Sequence, residues 1–377
     1  MPPAEADHLV VGAGLLGLAT ARALARRGRS VVVVERAMVG HERSGSKGTA
    51  RIFRLGHPEP HYVAMAQAAG RLWRLLEDET GLPVLRTTGQ VTFGPGLHSL
   101  EAALSGAGAP FERLAAGSAS ERWPGLSVPG PALFEPESGV LAADRCLTAL
   151  RTGPFELLES TAVTRLADDG RAVRAALRPS GADASARGPV PDVVVSSAVV
   201  CAGASSGPLL AAAGFDLTPA PTLEQVAYLA PTGDAPEPPV FVEWGSPAVY
   251  GLPEPDGERF KIAFHRGGPP ADPATAVFEP DPALVVRLSE AARRILPGHD
   301  PRPVATERCL YDNSADTHFV LDRLGRVVVG AGTSGHGFKF GPLLGELLAD
   351  LASGAAPSFD LGPFSAWRPG LAGPGAR

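Results

Sequence analysis

The chain has 377 residues, of which 44% are hydrophobic and 20% charged, and carries a formal net charge of −6. That length exceeds what a single hydrophobic core usually supports, so two substructures are expected. The composition is that of a globular protein in water, and its acidic balance excludes an electrostatic footprint for nucleic acid or an anionic membrane.

Glu5 and Asp7 lead directly into a strand, so a mature cytoplasmic start without a cleavable signal segment is expected. His8–Val11 reads as that strand, Leu15–Arg27 as an amphipathic helix, Gly28 as its stop and Ser30–Val34 as a second strand, which together make a βαβ opening. After a polar loop, His41–Lys47, the apolar spacing of Val63, Ala66, Leu72, Leu75 and Leu76 predicts a helix over Tyr62–Glu79 that stops at Gly81. From Leu85 to Leu141 the pattern becomes short β-like runs broken by Gly and Pro, and the same texture returns from Leu217 to Pro303. Between these blocks Val193–Cys201 reads as a buried parallel strand. Val193–Phe215 is uncharged over a length that could span a bilayer, but Ser196, Ser197, Gly203, Ser205, Gly207 and Pro208 divide it into strand, turn and short helix, so no membrane segment is expected. Arg178–Pro191 reads as a surface turn and Trp367–Arg377 as a loose tail. Late in the chain, Val327–Gly330 forms an apolar strand that enters the turn GTSGHGFKFGP and then a helix from Pro342.

Gly12-Ala13-Gly14-Leu15-Leu16-Gly17 follows a strand and opens a helix, and Glu35 ends the next strand. In this context Gly12 permits a tight turn, Gly14 and Leu15 bring backbone N–H groups to a pyrophosphate, Gly17 allows close packing, and Glu35 accepts hydrogen bonds from a ribose. A dinucleotide is therefore expected, with FAD and NAD both open. Cys146, Cys201 and Cys309 are widely separated, with no CxxC pair and no His/Cys cluster, so neither a metal site nor a disulfide framework is expected.

Seven blocks, in order from about Ala6 to Leu351, resemble the D-amino-acid oxidase superfamily and, within it, the branch of monomeric sarcosine oxidase, N-methyltryptophan oxidase and pipecolate oxidase-like enzymes. They are GAGLLGLATARALARRG with Glu35, SGSKGTARIFRLGH, SGVLAADRCLTAL, VVVCAGASS, AVYGLPEPDGERFKIAFH, ERCLYDNSADTHFVLD and SGHGFKFGPLLGELLADL. The resemblance implies an α/β fold: a Rossmann-like FAD-binding domain (1–84, 142–216 and 304–377) and an interleaved α+β substrate domain (85–141 and 217–303) whose sheet covers the flavin. It implies FAD rather than NAD, bonded covalently through the Cys309 sulfur, a nucleophile as its thiolate. Arg36, Ser46, Lys47, Val163 and Gly203 are expected around the nucleotide, and Arg51, Gly335, Gly337, Phe338 and Lys339 around the flavin.

In the same resemblance Lys261 is the oxygen-activating residue, since an ammonium favours the charge that develops on superoxide. His265 and Tyr250 line the substrate cavity, His265 offering a hydrogen bond or a positive charge that, with Lys339, lowers the pKa of the amine. Arg54 and Lys339 hold the substrate carboxylate. The N–H groups of Gly335–Phe338 and the dipole of the helix after Pro342 stabilise negative charge on reduced flavin. Lys47, Ala50 and Ser205 depart from the residues usual in the branch, which makes sarcosine itself a doubtful substrate. The expected reaction is oxidation of a secondary or cyclic amino acid to an imine, with O2 reduced to hydrogen peroxide, by a monomer that needs no partner beyond amine and O2. An FAD dehydrogenase with another acceptor and a non-catalytic flavin-binding subunit remain open.

Overall fold

The computed structural model describes residues 5–215, 217, 220–234 and 236–371. Residues 1–4 at the expected start and 372–377 of the expected tail lie outside the described residues.

The apolar runs of the nucleotide half form one sheet in the order Thr161–Asp168, Val173–Pro179, Val193–Val200, Glu5–Val11, Val31–Val34, Glu156–Leu158. Glu5–Val11 runs parallel to both Val193–Val200 and Val31–Val34. Val193–Val200 shares one edge between two partners, antiparallel Val173–Pro179 at its start and parallel Val327–Ala331 at its end. Runs such as Val31–Val34, buried at every position, suit a sheet covered on both faces. The helix Leu15–Arg26 covers one face, and the helix Gly341–Ser353 lies against it. A Cβ on Gly345 would come within 2.5 Å of the Ala19 backbone, so glycine there is what lets the two helices approach so closely.

The second sheet runs Ala305–Tyr311, Thr222–Leu229, Phe260–His265, Ala248–Pro253, Val240–Glu243, Gln90–Phe93, Ala132–Glu135, Glu112–Leu114. Hydrogen bonding thus makes Ala305–Tyr311, which carries Cys309, an edge strand of this sheet rather than part of a nucleotide segment beginning at 304. A three-stranded sheet of Ala50–Phe53, Gly139–Ala142 and Leu85–Thr87 straddles the expected boundaries at 84 and 141. Among the described residues the β-like blocks also hold three helices that their texture hid, Leu97–Gly106, Ser118–Arg122 and Pro282–Ile295; the last is capped by the Asp281 carboxylate, which accepts from the Ala283 and Leu284 amides.

Other expectations shift locally. The long helix spans Pro60–Thr80 and ends at Gly81 in a left-handed conformation, but Leu75 faces outward, and Tyr62, Met65 and Trp73 fill the buried face. Val193–Phe215 is a strand, a 3-10 turn at Gly203–Ser205 and a helix at Gly207–Ala212. No helix among the described residues is long and apolar enough to cross a membrane. Strand Val173–Pro179 runs into the expected surface turn, which keeps an exposed 3-10 turn at Ala184–Ala186. The tail is not loose along its described part: Leu371 is buried, and Trp367 stacks on Phe215 at 6.0 Å.

Gly17 shows how tightly the first helix sits on its turn, because a Cβ there would lie 1.8 Å from the Gly12 carbonyl oxygen. Gly17→Ala is expected to lower stability by about 1–3 kcal/mol, the usual cost of overpacking. Gly106→Ala, at a position with open space around it, should leave stability within about 0.5 kcal/mol. Urea denaturation of both variants checks the contrast.

Candidate active site

The glycine turn places three functions in six residues. Gly12 has φ +98°, and a Cβ on it would come within 2.5 Å of the Cys201 carbonyl oxygen, so only glycine turns the chain here. The helix that follows has no cap of its own; the Ser46 hydroxyl, from a distant loop, accepts the Leu15 N–H at 3.0 Å. Glu35 is buried, and its carboxylate accepts the Ala13 and Ala37 amides at 2.9 and 3.0 Å. His41 Nε2 lies 3.7 Å from the same carboxylate, but burial outweighs that attraction and pushes the imidazole's pKa down.

From this turn a cavity of about 500 Å³ runs beneath the second sheet. Side-chain alternation decides what faces it. Val242 and Trp244 face it from one strand and its exit, Ala248, Tyr250 and Leu252 from the next, Lys261 and His265 from the third, and Cys309 and Tyr311 from the edge strand. Register aligns them: Leu252 pairs with Lys261, Ala248 with His265, and Val242 with Tyr250. Gly12, Gly14, Leu15, Glu35, Arg36, Ser46, Val163 and Gly203 line the nucleotide end, and Arg51, Arg54, Gly335, Gly337, Phe338 and Lys339 line the remainder.

Two expected residues do not line it. Gly17 acts through packing alone, as described above. Lys47 is outside the lining; its ammonium lies 5.9 Å from the Phe278 ring, and its carbonyl accepts from Arg51 at 2.5 Å. The loop therefore turns Lys47's backbone, not its charge, toward the site.

The cavity gathers cations with few counter-ions. Arg51 is held by the carbonyls of Gly45, Lys47 and Ala50 and lies 5.3 Å from the Phe338 ring. Lys261 is 5% exposed, and its Nζ donates to the Ala50 carbonyl at 3.1 Å. Burial, reinforced by Arg51, pulls its pKa down to about 7. Burial raises the Cys309 thiol, while Arg51 and Lys261 work the other way. Those two cations are therefore what favour a thiolate at this position.

Arg54 forms no hydrogen bond or ion pair among the described residues, and one of its terminal nitrogens is buried without a partner. Lys339, 4% exposed, donates only to the His336 carbonyl at 2.8 Å, and burial together with Arg54 drives its pKa well down. Such uncompensated charge is costly unless an anion arrives. The carboxylate that acts on both cations is Glu135, fully buried and already bonded by the amides of Leu55 and Gly56, the Ser138 hydroxyl and the Gln90 amide. It anchors the backbone just after Arg54.

His265 does not supply positive charge. Burial, then Arg266, Arg54 and Lys339, depress its pKa to about 3, so it is a neutral ring near pH 7. Tyr250 is pushed up to about 12, mainly by burial, and stays protonated. The helix after the glycine turn also departs from expectation. A 3-10 turn, Phe338–Phe340, intervenes, and Gly341 at the helix start packs on Leu15, so the cavity meets the turn rather than the helix end.

Sequence reasoning missed Trp244, Tyr311, Asp312 and Glu135. Tyr311 sits two residues after Cys309, so strand alternation alone could have found it. Asp312 lines the cavity, accepts the Gly332 amide at 2.8 Å, and is raised by burial to about 6. No group of three His, Cys, Asp or Glu among the described residues could hold a metal ion.

The cradle suits a dinucleotide with a flat redox ring. Positions 12 and 17 have no room for a Cβ, an acid stands at the end of the second strand, and Arg51, Arg54, Lys261 and Lys339, none of which forms an ion pair among the described residues, line the rest of the cavity. Comparison with known proteins agrees. The family model described as FAD dependent oxidoreductase matches residues 7–351. Peroxisomal sarcosine oxidase of Mus musculus is 32% identical, with 95% of each chain covered. Monomeric sarcosine oxidase of Bacillus sp. (strain NS-129) is 30% identical, with 97% of each covered. Among solved structures, NikD, an unusual amino acid oxidase essential for nikkomycin biosynthesis, superposes with a TM-score of 0.83 at 25% identity, covering 96% of this chain and 98% of the other.

The depressed Lys261 sets a pH dependence. Between about 7 and the ordinary lysine value of 10.5 the unfolded chain holds a proton that the folded chain releases, so stability rises with pH across that window and is flat below it. In flavin-free protein the unfolding free energy of the wild type relative to Lys261→Met is expected to rise by roughly 2–4 kcal/mol from pH 7 to pH 10. Urea titrations at several pH values measure it, and parallel curves would refute the shift.

Proposed function

Since the chain belongs to the FAD-dependent oxidoreductase family, we propose that it oxidises a secondary or cyclic amino acid to an imine and reduces O2 to hydrogen peroxide. Two electrons and two protons leave the C–N unit, and the same number reach oxygen. FAD, when bound, supplies the two-electron acceptor. Gly12, Gly14, Ser46, Glu35, Arg36, Val163 and Gly203 would hold its nucleotide end, Arg51, Gly335, Gly337 and Phe338 would surround its ring, and Cys309 would tether it covalently.

The observation that carries this reading is Arg54, a half-buried guanidinium that forms no hydrogen bond or ion pair among the described residues, in the same cavity as Lys261 and Cys309. A substrate carboxylate satisfies it and, by adding negative charge, restores the ammonium of Lys339. Arg54 keeps its charge at any working pH and favours the neutral, oxidisable form of the amine, a task His265 cannot share. Neither His265 nor Tyr250 is a strong base at pH 7, which accords with a reaction in which no side chain removes the C–H proton. Lys261 supplies the positive charge beside which oxygen is reduced. Similarity to monomeric sarcosine oxidase over 97% of the chain supports action as a monomer.

Anaerobic addition of sarcosine, N-methyl amino acids, proline and pipecolate should bleach the flavin with at least one of them, and air should restore it. Arg54→Met is expected to weaken that substrate by about 10²-fold or more. Lys261→Met should slow reoxidation by about 10²-fold while leaving bleaching intact. Acid-precipitated wild-type protein should keep its yellow colour in the pellet, and Cys309→Ser should lose it. No bleaching by any amine would sink the reading, and bleaching with sluggish wild-type reoxidation would point to a different electron acceptor.

A further inference from the structure

We propose that residues 272–278 form a strap that fastens the nucleotide loop, residues 41–47, over the bound dinucleotide, with Arg43 as its catch, and that opening of this strap limits how fast the cofactor leaves. The inference rests on the FAD-binding site and not on the identity of the amine.

Both ends of the segment are fixed to one strand, Thr222–Leu229, by neighbouring side chains. The buried Glu224 carboxylate accepts the amides of Gly267 and Gly268 at 2.9 and 2.8 Å. Gly268 packs so closely that a Cβ there would lie 2.2 Å from the Leu223 carbonyl oxygen. At the other end the Gln225 side chain accepts the Asp281 N–H at 2.7 Å and donates to the Asp281 carbonyl at 3.2 Å. Fixed ends confine any opening to the residues between them.

The middle is held differently. Asp272 folds it into a turn, its carboxylate accepting the Ala274 amide at 2.8 Å and its carbonyl the Ala276 amide at 2.9 Å. Among the described residues, every hydrogen bond from 272–278 to the rest of the protein comes from Arg43, whose guanidinium donates to the carbonyls of Pro273, Ala274 and Ala276 at 2.8, 3.4 and 3.2 Å. The Phe278 ring lies 5.0 Å from the same guanidinium. No side chain of the segment joins a hydrophobic core among the described residues, and Val277 is 64% exposed. One polar contact therefore decides whether the strap stays down. Its acceptors are neutral, so it opens more readily than an ion pair with a carboxylate would.

Arg43 connects that contact to the cavity. Arg43, Ser44, Gly45 and Ser46 line its nucleotide end in succession, and Ser46 reaches the Leu15 amide at the helix start, where the glycine turn would meet a pyrophosphate. Arg51 grips the same loop through the carbonyls of Gly45 and Lys47. Two arginines thus hold the loop down, Arg51 from within the cavity and Arg43 through the strap. Releasing Arg43 frees one end of the loop, the movement a dinucleotide needs in order to leave.

FAD release from Cys309→Ser protein, in which no covalent tether masks it, is read as the rise in flavin fluorescence after dilution. Arg43→Leu is expected to speed release by about tenfold or more. Phe278→Ala alters the strap without touching the cavity wall and should speed release by about threefold; the double variant should match Arg43→Leu within about twofold, because both changes break one contact. In flavin-loaded protein with Cys309 intact, chymotrypsin should cut after Phe278 at least about tenfold faster in Arg43→Leu than in the wild type. Faster release from Arg43→Leu, with the Phe278→Ala release rate and the cleavage rate both unchanged, would mean that Arg43 acts on the cofactor directly and would overturn the strap. Unchanged release in both variants would overturn it too, as would wild-type cleavage as fast as the variant's. Neither readout uses an amine, so the strap and the oxidase reading fail separately.

Discussion

Positive charge kept out of water without a matching anion is the constraint on which the rest of the molecule depends. Arg51, Arg54, Lys261 and Lys339 all line one cavity, and two of them, Lys261 and Lys339, are almost fully buried. Left alone, each lowers the others' proton affinity, as the depressed lysines show. The protein tolerates this because carbonyl oxygens absorb part of the charge: three hold Arg51, Ala50 also receives Lys261, and His336 receives Lys339. Carbonyls stabilise a cation without cancelling it, so the field remains for anionic ligands.

The two sheets divide the labour of building that site. The parallel sheet presents backbone at the ends of its strands, where a helix start and a buried acid meet a nucleotide, a geometry common to open α/β sheets. The antiparallel-rich sheet presents side chains instead, and five neighbouring strands, from Ala305–Tyr311 to Val240–Glu243, contribute residues to the cavity. The small sheet of Ala50–Phe53, Gly139–Ala142 and Leu85–Thr87 lies at the junction and delivers Arg51 and, one residue beyond its end, Arg54.

What the sequence made legible was local. Gly12, Gly14, Gly17 and Glu35 lie within one βαβ unit, and each has a role that a short stretch of chain can specify. Lys47 could not be placed, because backbone direction in a polar loop depends on what Arg51 grips. The charge of His265 was misread since its neutrality comes first from burial and then from nearby cations, of which Arg54 and Lys339 are brought near only by folding. Cys309 was read as part of a nucleotide segment because edge-strand membership depends on a partner, Thr222–Leu229, some eighty residues earlier. Trp244 and Glu135 carry no local signal at all; an aromatic after a strand and an acid within one are ordinary until Arg54 is seen between them.

The pairing pattern also bears on how the molecule comes into being. Residues 5–11 need 193–200, residues 90–93 need 240–243, and the cavity is finished only by the turn at 335–339. Few of these contacts are close in sequence, so loops must close at entropic cost before any of the nucleotide cradle is rewarded, and folding should be slow for the chain's size. On the ribosome the first glycine turn emerges early but waits for its neighbours. The site is thus a late product of synthesis, and the nascent chain is shielded from capturing a reactive cofactor before it can control one.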